Sequence, residues 1–323
     1  MMGSVLALCG GVGGAKLALG LLRALGPDEL TVIVNTGDDF DHLGLRISPD
    51  IDTVLYTLAG IASANAGWEP EEETRAVQKM LRLLGGADQP AIGDRSLAAP
   101  LLRTHQLAEN RRLTQITLDF CRELGIGARV LPMSDERVRT NVITDDGAVS
   151  FTEYFQELGC EPQVRGFQYA GVEDARISDE VREALLAPDL EAIIIGPANP
   201  YHAIRPILEV PDMRELMRKR GAPIIAVTPL VGGKALKGSA GKMMRELGKE
   251  PSVRAVAGEY LRLIDGFVID REDEIFAESV RSLGIAVRPT ATVMRNANDR
   301  IALAQTALDF AAGIRATRRL ESE

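Results

Sequence analysis

The chain has 323 residues, 46% of them hydrophobic, which is enough apolar material for one large core or a core carrying an insertion. Its formal net charge of −9 argues against a nucleic-acid or anionic-membrane partner, and no apolar run reaches bilayer length. Three scattered cysteines (Cys9, Cys121 and Cys160), with no CxxC pair and no histidine cluster, point away from disulfides or zinc and toward thiols in a reducing cytoplasm.

The apolar run 5–9 leads straight into Gly10, Gly11, Val12, Gly13, Gly14, Ala15 and Lys16. Apolar residues then recur at 17, 18, 21, 22 and 25 until Gly26-Pro27. This spelling predicts a buried strand, a glycine turn and a helix over 15–25. Backbone N–H groups in such a turn can approach an anion at the positive end of a helix. Lys16 places a cation in the first helical turn, where the dipole disfavours it, and a bound phosphate would offset that cost. The loop is not a Walker A loop, because Ala15 precedes the lysine and Leu17 follows it. Nor is it the dinucleotide fingerprint, because Lys16 stands where the third glycine belongs. Alone, it reads either as a phosphate loop or as a tight strand-to-helix turn. The glycines also interrupt the N-terminal apolar stretch, and no basic segment precedes it, so no signal peptide is expected.

The run 30–34 is a second buried strand, closed by Asn35, Thr36, Gly37, Asp38 and Asp39. Residues 40–52 are turn-rich, with Pro49 excluding a regular central strand, and a helical block begins at 53. Helical runs at 72–84 and 107–124 flank a loop at 85–95, so 61–125 is expected to be a smaller, mainly α-helical insertion or cap. Strand character returns at 128–133. Residues 141–144 and 149–151 about Asp145-Asp146-Gly147 predict a β-hairpin, with a further strand at 165–169. A helix at 179–186, strands at 192–195, 223–227, 267–269 and 285–287, and a helix over 298–315 with a frayed charged end complete the chain. Continuous apolar strands alternating with helices imply a parallel sheet covered on both faces. The expected fold is therefore α/β, a Rossmann-like three-layer sandwich whose nucleotide-binding core comprises 1–60 and 126–323.

Four apolar strands end in polar, Gly- or Pro-bearing loops at 10–16, 35–39, 196–200 and 228–234. In an open parallel sheet these lie along one edge, where ligands bind at the topological switch point. Asn, Lys and paired Asp recurring on that edge exceed what turns need and point to a nucleotide. In so acidic a chain, a phosphate site needs Lys, Arg or a metal to supply positive charge. Asp38, Asp39, Asp50 and Asp52 can all reach this edge, and carboxylate oxygens beside a phosphate loop suit Mg2+, with Asp38 and Asp50 as candidate ligands. Helix capping is the competing reading for Asp50 and Asp52. Lys234 and Lys237 read equally as a second phosphate contact or as solvated lysines beside close packing. Ser134 and Asp135 read as a nucleobase contact or a helix cap, and Asn199 is a stiff amide between prolines, suited to orienting a ligand. His42, His105 and His202 show no spacing of a triad or metal site and read as bystanders.

These loops together resemble the 2-phospho-L-lactate transferase (CofD) family of deazaflavin coenzyme F420 biosynthesis. The resemblance is carried by GGVGGAKL at 10–17, VNTGDD at 34–39, ISPDIDTVLYTLAG at 47–60 and GDR at 93–95. It continues in VLPMSDERVRT at 130–140, GPANP at 196–200, AVTPLVGGKALKGSAGKMM at 226–244 and DGFVID at 265–270. It implies a Mg2+-dependent enzyme with two small-molecule substrates, a guanosine diphosphate-linked donor and the deazaflavin FO, in a cytoplasmic homodimer. A phospholactyl-type group (2-phospho-L-lactate, phosphoenolpyruvate or phosphoglycerate) moves to the ribityl hydroxyl of FO, and GMP leaves. Gly10, Gly11, Gly13, Gly14 and Lys16 would lie near the donor phosphates. Ser134, Asp135 and Asn199 would surround its nucleotide, and Asp38 and Asp50 would serve the metal or FO. Asn35, Thr36, Asp52, Asp94, Arg95 and Lys234 complete the expected substrate-binding set. A ribityl hydroxyl is a poor nucleophile at neutral pH, so Asp38 or Asp39 is expected to take its proton, with Asp38, Asp39 and Asp50 as the catalytic set.

The chain departs from the family near the acceptor side, where the family reads like WF(K/R/N)LGDRDLATH. Here Asp88 is followed by Gln89-Pro90 at the aromatic pair, with Ala91 at the polar position, Ser96 at the second Asp and Pro100 at the His. The nucleotide half is intact and the acceptor half altered. A non-catalytic nucleotide-sugar-binding regulator of the same superfamily is the alternative. It is opposed by Phe40-Asp41-His42, where such proteins carry an Asp-Asp-Gly-Gly-Ser-Ser-Gly run. An NAD-dependent dehydrogenase is opposed by the missing third glycine.

Overall fold

A computed structural model describes residues 3–86, 89–235 and 239–322. Its centre is a sheet of seven strands: β1 (Val5–Cys9), β2 (Leu30–Val34), β3 (Arg129–Pro132), β4 (Ala192–Ile195), β5 (Ile224–Val227), β6 (Gly266–Asp270) and β7 (Ala286–Thr290). They lie in the order β7-β6-β5-β4-β1-β2-β3, every neighbouring pair parallel. Val5 of β1 stands opposite Leu30 of β2 on one side and Ala192 of β4 on the other.

The apolar runs are unbroken because both faces of the sheet are covered. Along β1 the side chains alternate, Val5, Ala7 and Cys9 entering one core and Leu6 and Leu8 the other. The first core holds helices α1 (Gly11–Ala24) and α2 (Pro49–Leu58), together with the C-terminal helix (Ala297–Ser322). Beyond α2 come α3 (Ala76–Leu83), α4 (Ala98–Ala108) and α5 (Leu113–Glu123), and α5 returns to this core through Leu113 and Cys121. The second core holds helices such as Asp179–Leu186 and Val253–Glu259. It also takes Val142 and Val164 from a three-stranded antiparallel sheet that extends the expected hairpin (Arg139–Thr144, Gly147–Ser150) with Val164–Ala170. This is the expected three-layer α/β sandwich. Among the described residues no helix is long and apolar enough to cross a membrane.

Three local expectations change. The run 107–124 is not one helix, because the chain turns between α4 and α5 with Asn110 in the left-handed region at φ 62°. Residues 40–47 form a small hairpin, Phe40–His42 against Leu45–Ile47, turning through Leu43 and Gly44 at φ 49° and 77°. The C-terminal helix continues to Ser322 instead of fraying after 315, and Arg318 ties it to Asp265.

Strand order reverses at β1. The chain leaves it for β2 and β3, then returns to β4 on its other side. The crevice between the carboxyl ends of β1 and β4 is the switch point.

Candidate functional site

The glycine loop and the loop after β4 meet closely at that crevice. Helix α1 opens at Gly11, whose φ of 63° favours glycine. A Cβ on Gly13 would stand 2.2 Å from the carbonyl oxygen of Pro197, and one on Gly10 2.7 Å from the Ala203 Cβ. Only bare backbone fits between β1, α1 and residues 197–203. A cavity of about 720 Å³ opens beside this junction, lined by Gly10, Gly11, Gly13, Lys16, Asp38, Asp50, Asp52 and Asn199.

Two carboxylates face one another across its floor. Asp50, in the first turn of α2, accepts hydrogen bonds from the Gly11 N–H at 2.8 Å and from Asn35 Nδ2 at 2.9 Å. Burial, and then the neighbouring Asp38 charge, push the Asp50 carboxyl up to about 7. Asp38 Oδ2 lies 2.7 Å from His202 Nδ1, while its Oδ1 is buried without a hydrogen-bond partner. The His202 ring stacks on Phe151 with centroids 3.9 Å apart, and Phe151 stacks on Phe155 at 5.8 Å.

A second set of charges reaches from the lining into the core behind it. Asp39 points away from the cavity, accepting from the Ser48 hydroxyl at 2.7 Å and pairing with Arg46 at 3.0 Å. Burial raises it to about 6 despite these partners. Asp52 pairs with Arg103, a fully buried side chain of α4 that also donates to the Arg46 carbonyl. The network pins the start of α2, and with it Asp50, to α4 and the small hairpin.

The remaining expected residues divide. Asn35 lies behind the cavity and holds Asp50, Gly14 packs on Cys9, and Thr36 is buried. Ser134 bonds Glu136 and the Arg176 carbonyl, and Asp135 caps α5 by accepting from Thr114 N–H at 2.7 Å. Asp94 caps α3 by accepting from Ala76 and Val77 N–H, Arg95 pairs with exposed Glu72, and Lys234 is exposed. None of Ser134, Asp135, Asp94, Arg95 and Lys234 lines the cavity. Asp88 and Lys237 lie outside the described residues.

Three of the departures from the family face the cavity: Ala91, Ser96 and Pro100 line it, beside Trp68 and Tyr56, whereas Gln89 and Pro90 do not. The sequence places His202 among the bystanders and does not single out Phe151 or Phe155, yet all three line the cavity and His202 meets Asp38. The four-residue spacing of the two phenylalanines was the signal available.

No group of three or more His, Cys, Asp or Glu suited to a metal stands among the described residues. Asp38 and Asp50 nevertheless fit Mg2+. One buried oxygen lacks a partner, and the neighbouring carboxyl is raised partly by like charge that a cation would relieve. Mg2+ commonly takes one or two protein carboxylates and draws its other oxygens from water and phosphate.

Residues 5–301 match the model of the family described as 2-phospho-L-lactate transferase CofD. A phosphoenolpyruvate transferase of Kitasatospora aureofaciens is 38% identical over 318 residues, covering 96% of this chain and 98% of that protein. A 2-phospho-L-lactate transferase of Methanopyrus kandleri is 39% identical over 306 residues, covering 93% and 95% respectively. The crystal structure of a UPF0052-family protein from Bacillus halodurans shares the fold at TM-score 0.61 and 16% identity, over 95% of this chain and 99% of that one.

Proposed function

This chain belongs to the CofD family of transferases in coenzyme F420 biosynthesis, and from that premise we propose that it joins a phosphoacyl group to the deazaflavin FO. The donor is a guanosine diphosphate-linked 2-phospho-L-lactate, phosphoenolpyruvate or phosphoglycerate, the acceptor is the ribityl hydroxyl of FO, and GMP leaves. The observation that carries this reading is the meeting of the α1 glycine loop with the Asp38–Asp50 pair on the floor of one large cavity. With a divalent cation on it, that floor would suit a diphosphate, and the aromatic lining residues Trp68, Tyr56, Phe151 and Phe155 suit a planar heterocycle.

The chemistry needs positioning more than covalent help. The hydroxyl oxygen forms a bond to the acyl-bearing phosphorus in line with the bridging oxygen, whose bond breaks and whose electron pair leaves with GMP. Backbone N–H groups at the start of α1 face the growing charge. The hydroxyl proton passes to the Asp38–Asp50 pair, since Asp39 does not line the cavity. Asp38 and Asp50 would also hold Mg2+, which when bound supplies positive charge to the diphosphate.

The test is to incubate the purified chain with FO, Mg2+ and each guanylylated donor in turn and to weigh the products. A phosphoacyl-FO with equimolar GMP is expected, and competition among donors identifies the acyl group. No adduct with any donor overturns the proposal.

A further inference from the structure

We propose that His202 is the positioning residue of the cavity's two carboxylates, holding them in the arrangement that receives a divalent cation. This rests on the reading of Asp38 and Asp50 as cation ligands. An ionised carboxylate only accepts hydrogen bonds, so the 2.7 Å contact requires His202 Nδ1 to donate to Asp38 Oδ2. That bond occupies one Asp38 oxygen and leaves Oδ1, buried and otherwise unpartnered, as the oxygen open to a ligand. The imidazole is itself held in place by its stack on Phe151, at 3.9 Å and 17° between planes. The same residue reaches the second carboxylate through its backbone. The His202 carbonyl accepts from Asn35 Nδ2 at 3.2 Å, and that amide also donates to Asp50 Oδ2 at 2.9 Å. One residue of the loop after β4 thus fixes Asp38 from the end of β2 and Asp50 from α2, which approach from separate parts of the chain.

Partners that orient ligating carboxylates typically set metal affinity by about 10–100-fold. The probe is Mn2+ alone, counted on the full chain by the loss of its free-ion electron paramagnetic resonance signal, with the metal-free melting temperature as a check on folding. His202→Ala is expected to weaken Mn2+ binding by about 10–100-fold. His202→Asn, whose amide nitrogen can stand where Nδ1 stands, restores most of that affinity. His202→Gln, whose amide reaches further, does not. Asp38→Asn abolishes binding.

If His202→Ala binds Mn2+ as the parent does while Asp38→Asn does not, the positioning role is overturned and the cation reading stands. If the parent chain binds no Mn2+, or Asp38→Asn binds it unchanged, the cation reading falls and takes this proposal with it. Should the alanine chain not fold, the Asn and Gln variants decide, and equal affinities overturn the proposal.

Discussion

Asp50 is held as an acid where a solvated carboxyl would be a base, and this has a measurable sign. Its carboxyl sits at about 7 in the folded chain, raised from 3.8 by burial first and by Asp38 second. The folded state therefore keeps a proton that the unfolded state has lost between these values. The associated stability is fully present below about pH 4 and is lost as pH rises through 7. Asp50→Asn removes that dependence. Each unit of pKa is worth about 1.4 kcal/mol, and losing one of the hydrogen bonds that Asp50 accepts takes back about 1 kcal/mol. The ligand-free variant should thus be about 3 kcal/mol more stable than the parent at pH 8, with the advantage down to about 1 kcal/mol or less at pH 5, while turnover falls at least about 100-fold. Urea midpoints at the two pH values test this, and a pH-independent difference refutes it. In sequence, Asp38 and Asp39 look interchangeable. The backbone sends one to the cavity and the other to Arg46 and Ser48, so only the fold separates them. His202 lies 164 residues from Asp38, beyond any local spacing rule.

At the scale of elements, the glycine loop shows what pattern can and cannot announce. The strands were legible because a two-faced parallel sheet needs unbroken apolar runs, and Val5–Cys9, Leu30–Val34 and Ala192–Ile195 fall where those runs lie. The break between α4 and α5 was not, because it depends on Asn110 adopting φ 62° within a stretch that keeps helical spacing. Four neighbouring glycines likewise read alike, yet their reasons differ. Gly11 has a left-handed φ with nothing within 4 Å of its missing Cβ, so Gly11→Ala meets only backbone strain of about 1 kcal/mol. A Cβ on Gly13 collides with the Pro197 carbonyl at 2.2 Å and must push α1 away from the loop after β4, costing about 3 kcal/mol or more. Urea unfolding with unchanged slope should rank Gly13→Ala well below Gly11→Ala. The reverse order would mean that the β1–α1 turn is set by its own dihedral angles and not by its approach to the neighbouring loop.

The molecule as a whole is acidic, and its cavity does not escape that character. Asp38, Asp50, Asp52 and Glu69 line it against Lys16 and Arg295, so acids outnumber bases in the described lining. The composition predicts a locally positive pocket or a metal, and the lining carries Asp38 and Asp50 side by side at the floor, where a metal would sit. Asp52 is offset by Arg103 and Glu69 by Arg75, whereas Asp38 meets His202, and Asp50 meets Asn35 and the Gly11 N–H. A diphosphate entering alone meets that pair directly; entering with a divalent cation, it turns the same pair into ligands. GDP without Mg2+ should therefore leave the melting temperature within about 1 °C of the free chain. GDP with Mg2+ at 100 times its Kd should add about 2.7 kcal/mol, roughly 4 °C for a chain of this length. EDTA should reverse the gain, and a UDP-sugar with Mg2+ should not reproduce it. An equal shift from GDP in EDTA would mean that Lys16, Arg295 and the α1 N–H groups carry the phosphates unaided, and that the carboxylate pair serves the acceptor hydroxyl alone.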